Sequence, residues 1–101
     1  MLKPSNIVII GTGNVAYHIA ASFMASTKTK LVQVFNHRNT KSAKAFSNTF
    51  HVPLVTNYNK LDTQADIYIL CIKDSALAEV AQQLAAFVLH FDRAVLEQRQ
   101  V

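Results

Sequence analysis

The run Ile7-Val8-Ile9-Ile10 leads directly into Gly11-Thr12-Gly13-Asn14-Val15-Ala16. A buried strand, a Gly-x-Gly-x-x-Ala turn and a helix in that order are the parts of a pyrophosphate-binding turn. Gly11 permits the sharp exit from the strand. Gly13 has no Cβ, so an anion can approach the backbone. Ala16 is small enough for the helix to lie against the strand. The N–H groups at the helix start then face the anion, helped by the helix dipole. Gly11, Thr12, Gly13, Asn14 and Val15 are therefore the first set of cofactor-binding candidates. The competing reading is a structural glycine turn with no ligand.

The second set lies at the end of the next strand, Phe35-Asn36-His37-Arg38-Asn39-Thr40. In a dinucleotide fold this position faces the adenine ribose, and an NAD site places Asp or Glu there. Here no carboxylate lies within several residues. Asn36 stands 23 residues after Gly13, close to the usual offset. Asn36, Arg38 and the start of the following helix can all donate to a 2′-phosphate, Arg38 in bidentate fashion. The pattern points to NADP(H) over NAD(H). Arg38 as a solvated charge is the alternative. His37 has two equal readings, a stack on adenine or a ring in solvent.

The third set follows the fourth strand, Cys71-Ile72-Lys73-Asp74. Ligands of open α/β sheets bind beyond the carboxyl ends of the strands, at the switch point between strands one and four. Ile72 is placed to pack on the nicotinamide side and Lys73 to reach substrate or phosphate. A solvated Lys73 is equally tenable, and Cys71 reads first as a small buried hydrophobe. Asp74 or Ser75 is the expected cap of the next helix, and Asp66 marks a strand entry. Tyr17 and His18 read as core-edge or surface residues.

These sets need an alternating scaffold. Hydrophobic periodicity predicts strands at 6–10, 31–35, 52–55 and 66–72. It predicts helices at 14–25, from Thr40 through Ala43, Phe46 and Phe50, and at 75–88. Val15, Ile19 and Phe23 form one face of the first helix, with Ala16 and Ala20 beside them. Residues 26–30 are a polar return loop and 57–63 a polar connection. Pro53 in the third strand argues for a sheet edge, where no ladder donor is missed. The fourth strand is almost uniformly apolar, as a central parallel strand is. A weak fifth strand is predicted at 94–96. Right-handed crossovers then give an α/β, Rossmann-type doubly wound parallel sheet of order 3-2-1-4-5 with three main helices.

Composition excludes several alternatives. At 101 residues and 50% hydrophobic, the chain makes one folded domain, residues 1–101. The longest apolar runs, 67–72 and 84–89, are too short to span a bilayer, so no membrane association is expected. The absence of a signal-peptide pattern and the single cysteine, Cys71, point to the cytoplasm. The net charge of +4 comes from scattered residues, with one concentration at His37, Arg38, Lys41 and Lys44. A small phosphate ligand explains that better than nucleic acid does. His18, His37, His51 and His90 have no metal-ligand spacing, so no metal site is expected. A methyltransferase turn reads Gly-x-Gly-x-Gly after an acidic residue, which this chain lacks.

With Gly11-Thr12-Gly13-Asn14-Val15-Ala16, Asn36-His37-Arg38 and Cys71-Ile72-Lys73-Asp74 in place, residues 5–90 resemble a known group. It is the N-terminal NADP-binding domain of pyrroline-5-carboxylate reductase and of deazaflavin-dependent NADP oxidoreductases. The nearest likeness is to a two-domain branch with an uncharacterised C-terminal domain. The resemblance implies pyrophosphate contacts from Gly13, Asn14 and Val15, 2′-phosphate contacts from Asn36 and Arg38, and nicotinamide-side contacts from Ile72 and Lys73. Relatives read Asn-Arg or Ser-Arg without a residue between; here His37 intervenes.

The relatives continue into a helical domain that completes the substrate site and forms the dimer, so this chain reads as a domain fragment or truncated product. Phe87, Leu89 and Phe91 are expected to line the surface left bare and to offer a homo-oligomer contact. The implied activity is hydride transfer to a small imine or carbonyl once a second domain is present, with the isolated chain inactive. A non-catalytic dinucleotide-sensing module is the alternative. Cofactor with candidate imines or ketones, followed by nicotinamide absorbance, separates the two.

Overall fold

The computed structural model describes residues 4–87. Strands β1 (Ser5–Ile10), β2 (Thr29–Phe35), β3 (Leu54–Val55) and β4 (Ile67–Leu70) form one parallel sheet of order β3-β2-β1-β4. Helices α1 (Asn14–Met24), α2 (Lys41–Phe50) and α3 (Asp74–Phe87) connect and flank it. The α/β alternation and the first four places of the expected order are those of a doubly wound sheet. The fifth strand, Leu89, Phe91 and the tail lie outside the described residues. No helix among the described residues is long and apolar enough to cross a membrane.

The 7–10 run is the centre of the sheet because β1 is hydrogen-bonded on both sides, to β2 and to β4. Both of its faces are therefore covered, and all four side chains are buried. Ile7 and Ile9 pack with Ala16, Ala20, Phe46 and Phe50 on the side of α1 and α2. Val8 and Ile10 pack with Tyr68, Leu70 and Leu84 on the side of α3. On α1 the buried line is Ala16 and Ala20, while Ile19 and Phe23 are only partly covered. The expected stripe of large residues is thus the flank of the contact and the alanines are its middle. Small side chains let the helix axis approach the sheet.

Strand β2 departs from simple alternation. Ile7 pairs with Leu31 and Val8 with Gln33, so Val32 is an extra residue in the ladder. Such a bulge switches the facing of everything after it. Leu31 and Val34 consequently share the α1 side, and Val32 and Phe35 the α3 side. Strict alternation would have placed Phe35 with Leu31.

Several expected boundaries move. Strand β2 begins at Thr29 and β3 shrinks to two residues. Strand β3 is an edge strand, and Pro53 stands just before it, its carbonyl accepting from the Val34 N–H at 3.0 Å; among the described residues β4 pairs with β1 alone and forms the other edge. Helix α3 starts at Asp74, so Asp74 and Ser75 are its first residues and not its cap. Helix α2 starts one residue after Thr40, which caps it, its hydroxyl accepting from the Ala43 N–H at 3.1 Å.

Two polar ties hold the approach to β4. The Asn6 N–H donates to the Asp66 carboxylate at 2.7 Å, and the Asp66 N–H donates to the Asn6 carbonyl at 2.9 Å. Asp66 is thereby the strand entry. Tyr68 is buried, donates to the Asp62 carbonyl at 2.5 Å and accepts from the Ala65 N–H at 3.2 Å.

Burial is the main cause pushing the Tyr68 pKa up to about 12, and the charges of Asp62 and Asp66 add to it, while the Ala65 N–H acts against them. The folded protein therefore holds this proton more tightly than the unfolded chain. The resulting stability is complete below pH 10, the ordinary tyrosine value, and is lost as pH rises through about 12. We expect Tyr68→Phe to lose about 1–2 kcal/mol at neutral pH from the missing hydrogen bonds. The gap between wild type and variant should then narrow between pH 10 and 12 in urea titrations. A constant gap across that range would contradict the assignment.

Candidate functional site

The carboxyl ends of β1, β2 and β4 meet at one edge. The Gly11 N–H donates to the Phe35 carbonyl at 2.7 Å, and the Cys71 N–H donates to the Ile10 carbonyl at 2.8 Å. Gly11 has φ +109°, a backbone conformation reserved for glycine. A Cβ at Gly11 would lie 2.3 Å from the Cys71 carbonyl oxygen. Gly13 is a different case. Its backbone is extended, with φ −79° and ψ −170°, and a Cβ there would meet nothing within 4 Å. The fold needs a glycine at 11 but leaves the space above Gly13 open.

That space adjoins the start of α1. Gly13 is the cap residue and has no side chain to offer, and the first helical bond runs from the Tyr17 N–H to the Gly13 carbonyl at 3.0 Å. The N–H groups of Asn14, Val15 and Ala16 precede it and have no acceptor within the helix. Donors, dipole and open backbone together form a cradle for an anion.

A cavity of about 550 Å³ extends from this cradle, within the range of small-molecule sites. Gly11, Thr12 and Gly13 line it from the turn, Asn36, His37 and Arg38 from the end of β2, and Cys71, Ile72 and Lys73 from the end of β4. Three segments far apart in sequence thus share one wall. Asn14 and Val15 lie outside that lining, on the first turn of α1. His37, Arg38 and Lys73 are exposed, and Ile72 and Cys71 half-buried. The guanidinium of Arg38 has no acidic partner among the described residues, which leaves its charge available to a ligand.

Asn36 has a duty of its own. Its side-chain amide donates to the Arg38 carbonyl at 2.6 Å, and its backbone N–H donates to the Val55 carbonyl at 3.0 Å. One amide hydrogen is therefore committed to shaping the loop. Asn36 positions Arg38 first and has only its remaining hydrogen for a ligand.

Five wall residues carry no motif and are missed by spacing alone. Tyr58 comes from a short 3₁₀ turn, Tyr58–Lys60, and Ser75, Ala76, Glu79 and Val80 from α3. The α3 set recurs at i, i+1, i+4 and i+5, the signature of one helix face. Its phenylalanine and leucine residues read as core from the sequence, and that masked the second use of the helix. Tyr58 lies over Phe35, ring centroids 4.6 Å apart and 31° between planes. Burial raises the Tyr58 pKa, and the Glu79 charge raises it further. Gln33 fastens this turn to β2: its amide donates to the Lys60 carbonyl at 3.3 Å and accepts from the Asp62 N–H at 2.8 Å. Among the described residues no group of His, Cys, Asp and Glu could hold a metal ion. Tyr17 is half exposed beside Phe50, 5.0 Å between centroids, and takes no part in the cavity.

Residues 6–91 match the family model described as NADP oxidoreductase, coenzyme F420-dependent. No curated protein matches the chain. Among solved structures it is similar to a proposed NADP oxidoreductase from Bacteroides fragilis, at 26% identity and TM-score 0.78, over 97% of this chain and 37% of that one. It is also similar to biliverdin reductase from Synechocystis, solved with biliverdin and NADP+, at 19% identity and TM-score 0.76, over 97% and 30% of the two chains. Prephenate dehydrogenase from A. aeolicus, solved with NAD+, is similar at 18% identity and TM-score 0.79, over 96% and 34%. The last two likenesses are of fold. The chain spans between 30% and 37% of the length of these three structures.

The two glycines should respond differently to one methyl group. Gly11→Ala meets both a positive φ and the Cys71 carbonyl, and should cost about 2–4 kcal/mol in denaturant titrations. Gly13→Ala should leave the folding free energy within about 0.5 kcal/mol of wild type. Equal losses at both positions would contradict the geometry.

Proposed function

Because the chain belongs to the family of coenzyme F420-dependent NADP oxidoreductases, we propose that residues 1–101 are a single dinucleotide-binding domain that takes NADP(H) into the cavity above Gly13. The carrying observation is the contrast between the glycines: Gly13 is a glycine at a place where the fold itself would accept a side chain. A pyrophosphate passing over that backbone explains why no Cβ is there. The donor set fits the same group. Gly11, Thr12, Gly13, Asn14 and Val15 surround the pyrophosphate with backbone N–H groups and a helix N-terminus. Arg38 meets the 2′-phosphate, with Asn36 holding the loop that carries it and His37 beside it. No carboxylate stands at this loop to repel a phosphate.

On this reading Cys71, Ile72 and Lys73 border the nicotinamide half, since they leave β4 next to the phosphate turn. Ile72 supplies apolar surface and Lys73 a cation on the substrate side. NADP(H) supplies the hydride chemistry when bound, and the chain's own residues bind and orient it. The proposed hydride acceptor is a small imine or carbonyl held by a second domain. Closure over the reacting carbon then falls to that second domain, and the isolated chain should turn over very slowly.

Direct titration with NADPH and NADH, read by nicotinamide fluorescence, tests this. The wild-type chain should prefer NADPH. Gly13→Val should weaken both cofactors by at least about tenfold, roughly 1.4 kcal/mol, in a folded protein. Arg38→Ala should weaken NADPH by about 1.5–3 kcal/mol and leave NADH nearly unchanged. Preference for NADH, or unaltered NADPH affinity in folded Gly13→Val, would overturn the proposal.

A further inference from the structure

Glu79 is the one carboxylate among the described residues lining the cavity. It stands five residues into α3, about 7.5 Å along the helix axis from Asp74 at the strand-end edge. It is exposed to the cavity and has no hydrogen-bond or ion-pair partner among the described residues. Its neighbours on the wall are mostly apolar or aromatic: Ala76 and Val80 on its own helix, and Tyr58, whose ring covers Phe35, with the Ser75 hydroxyl one turn earlier as the polar exception. The basic side chains His37, Arg38 and Lys73 belong to the loops at the strand ends. The cavity is therefore graded, with anion-binding groups at its strand-end edge and a largely apolar slot along α3 that carries one negative charge. The rise in the Tyr58 pKa from the Glu79 charge agrees that the two residues face the same slot.

A ligand matching that gradient has phosphates at one end and, at the other, a planar ring carrying a hydrogen-bond donor. A 6-aminopurine has that character. A 6-oxopurine turns an acceptor toward the same spot, and a carboxylate can only accept. We propose that Glu79 accepts a hydrogen bond from the exocyclic 6-amino group of the adenine base and so selects adenine over 6-oxopurine dinucleotides. This rests on the NADP(H) reading and adds a specificity residue to it. The apolar walls contribute affinity for any purine, whereas Glu79 contributes the choice between purines. Replacing an accepted N–H by an opposing carbonyl leaves the charge unpaired against a lone pair, which is costlier than losing a contact.

The test uses the 101-residue chain and two ligands, NADPH and reduced nicotinamide hypoxanthine dinucleotide phosphate. These differ only in having an amino or an oxo group at the purine 6-position. Binding is read by nicotinamide fluorescence, without turnover. Wild type should bind NADPH at least about tenfold more tightly. Glu79→Gln should bring the two within about threefold, because an amide can accept from the amino group and donate to the oxo group. Glu79→Ala, which removes the charge without adding a donor, should also reduce the ratio. Arg38→Ala should weaken both ligands alike and keep the ratio, since the 2′-phosphate it meets is common to the two. Equal wild-type affinities, or a ratio that survives in both Glu79 variants, would overturn the role of Glu79 while leaving the dinucleotide site in place. Absence of NADPH binding by the wild type would instead remove the dinucleotide reading itself.

Discussion

The ends of β1 and β4 approach so closely at Gly11 that no side chain fits between that residue and the Cys71 carbonyl. The close approach follows from pairing β1 to β4 up to its last residues, ending with the Cys71 N–H on the Ile10 carbonyl. On its other side the Gly11 N–H is held by Phe35. Three strand ends are thus locked around one glycine with a positive φ. From that lock the chain turns through Thr12 and Gly13 into α1, and the direction of α1 sets where its N-terminus points. The anion cradle, the cavity and the β2 loop beside it all take their positions from this crowded junction.

Close packing serves the same end on the α1 side. Ala16 and Ala20 are fully buried against the sheet, so the helix lies near the strand that precedes it and cannot swing away from the turn. The rigid edge contrasts with the exposed basic side chains arranged along it. His37, Arg38 and Lys73 reach outward from loops whose backbones are tied down by Asn36 and by the strand ends. Backbone precision comes from the sheet, and charge is presented from loops, the usual division of labour in open α/β folds.

The α3 side shows how one bulge shapes a binding wall. The extra residue Val32 reverses the facing of β2, so Phe35 turns toward α3 and Tyr58 can lie upon it. Gln33, near the same irregularity, pins the turn that carries Tyr58. Without the switch the aromatic pair would be split across the two faces of the sheet. The slot that carries Glu79 would then lose its floor.

What the sequence by itself determined is whatever depends on neighbours along the chain. The buried run at 7–10, the spacing of Gly11, Gly13 and Ala16 and the missing carboxylate after Phe35 are local signals. They were enough for the parallel order of four strands and for the segments that share the cavity, because right-handed crossovers leave few arrangements. Tertiary structure alone decided what depends on which segments meet. Spacing could not distinguish a glycine required by a facing carbonyl from one facing open space, since Cys71 is sixty residues from Gly11. Nor could it show that Asn36 spends an amide hydrogen on its own loop, or that Val32 reverses a strand. Tyr58 and Glu79 reach the cavity only because α3 folds back over the turn between β3 and β4, an outcome of packing two apolar faces that no short pattern records.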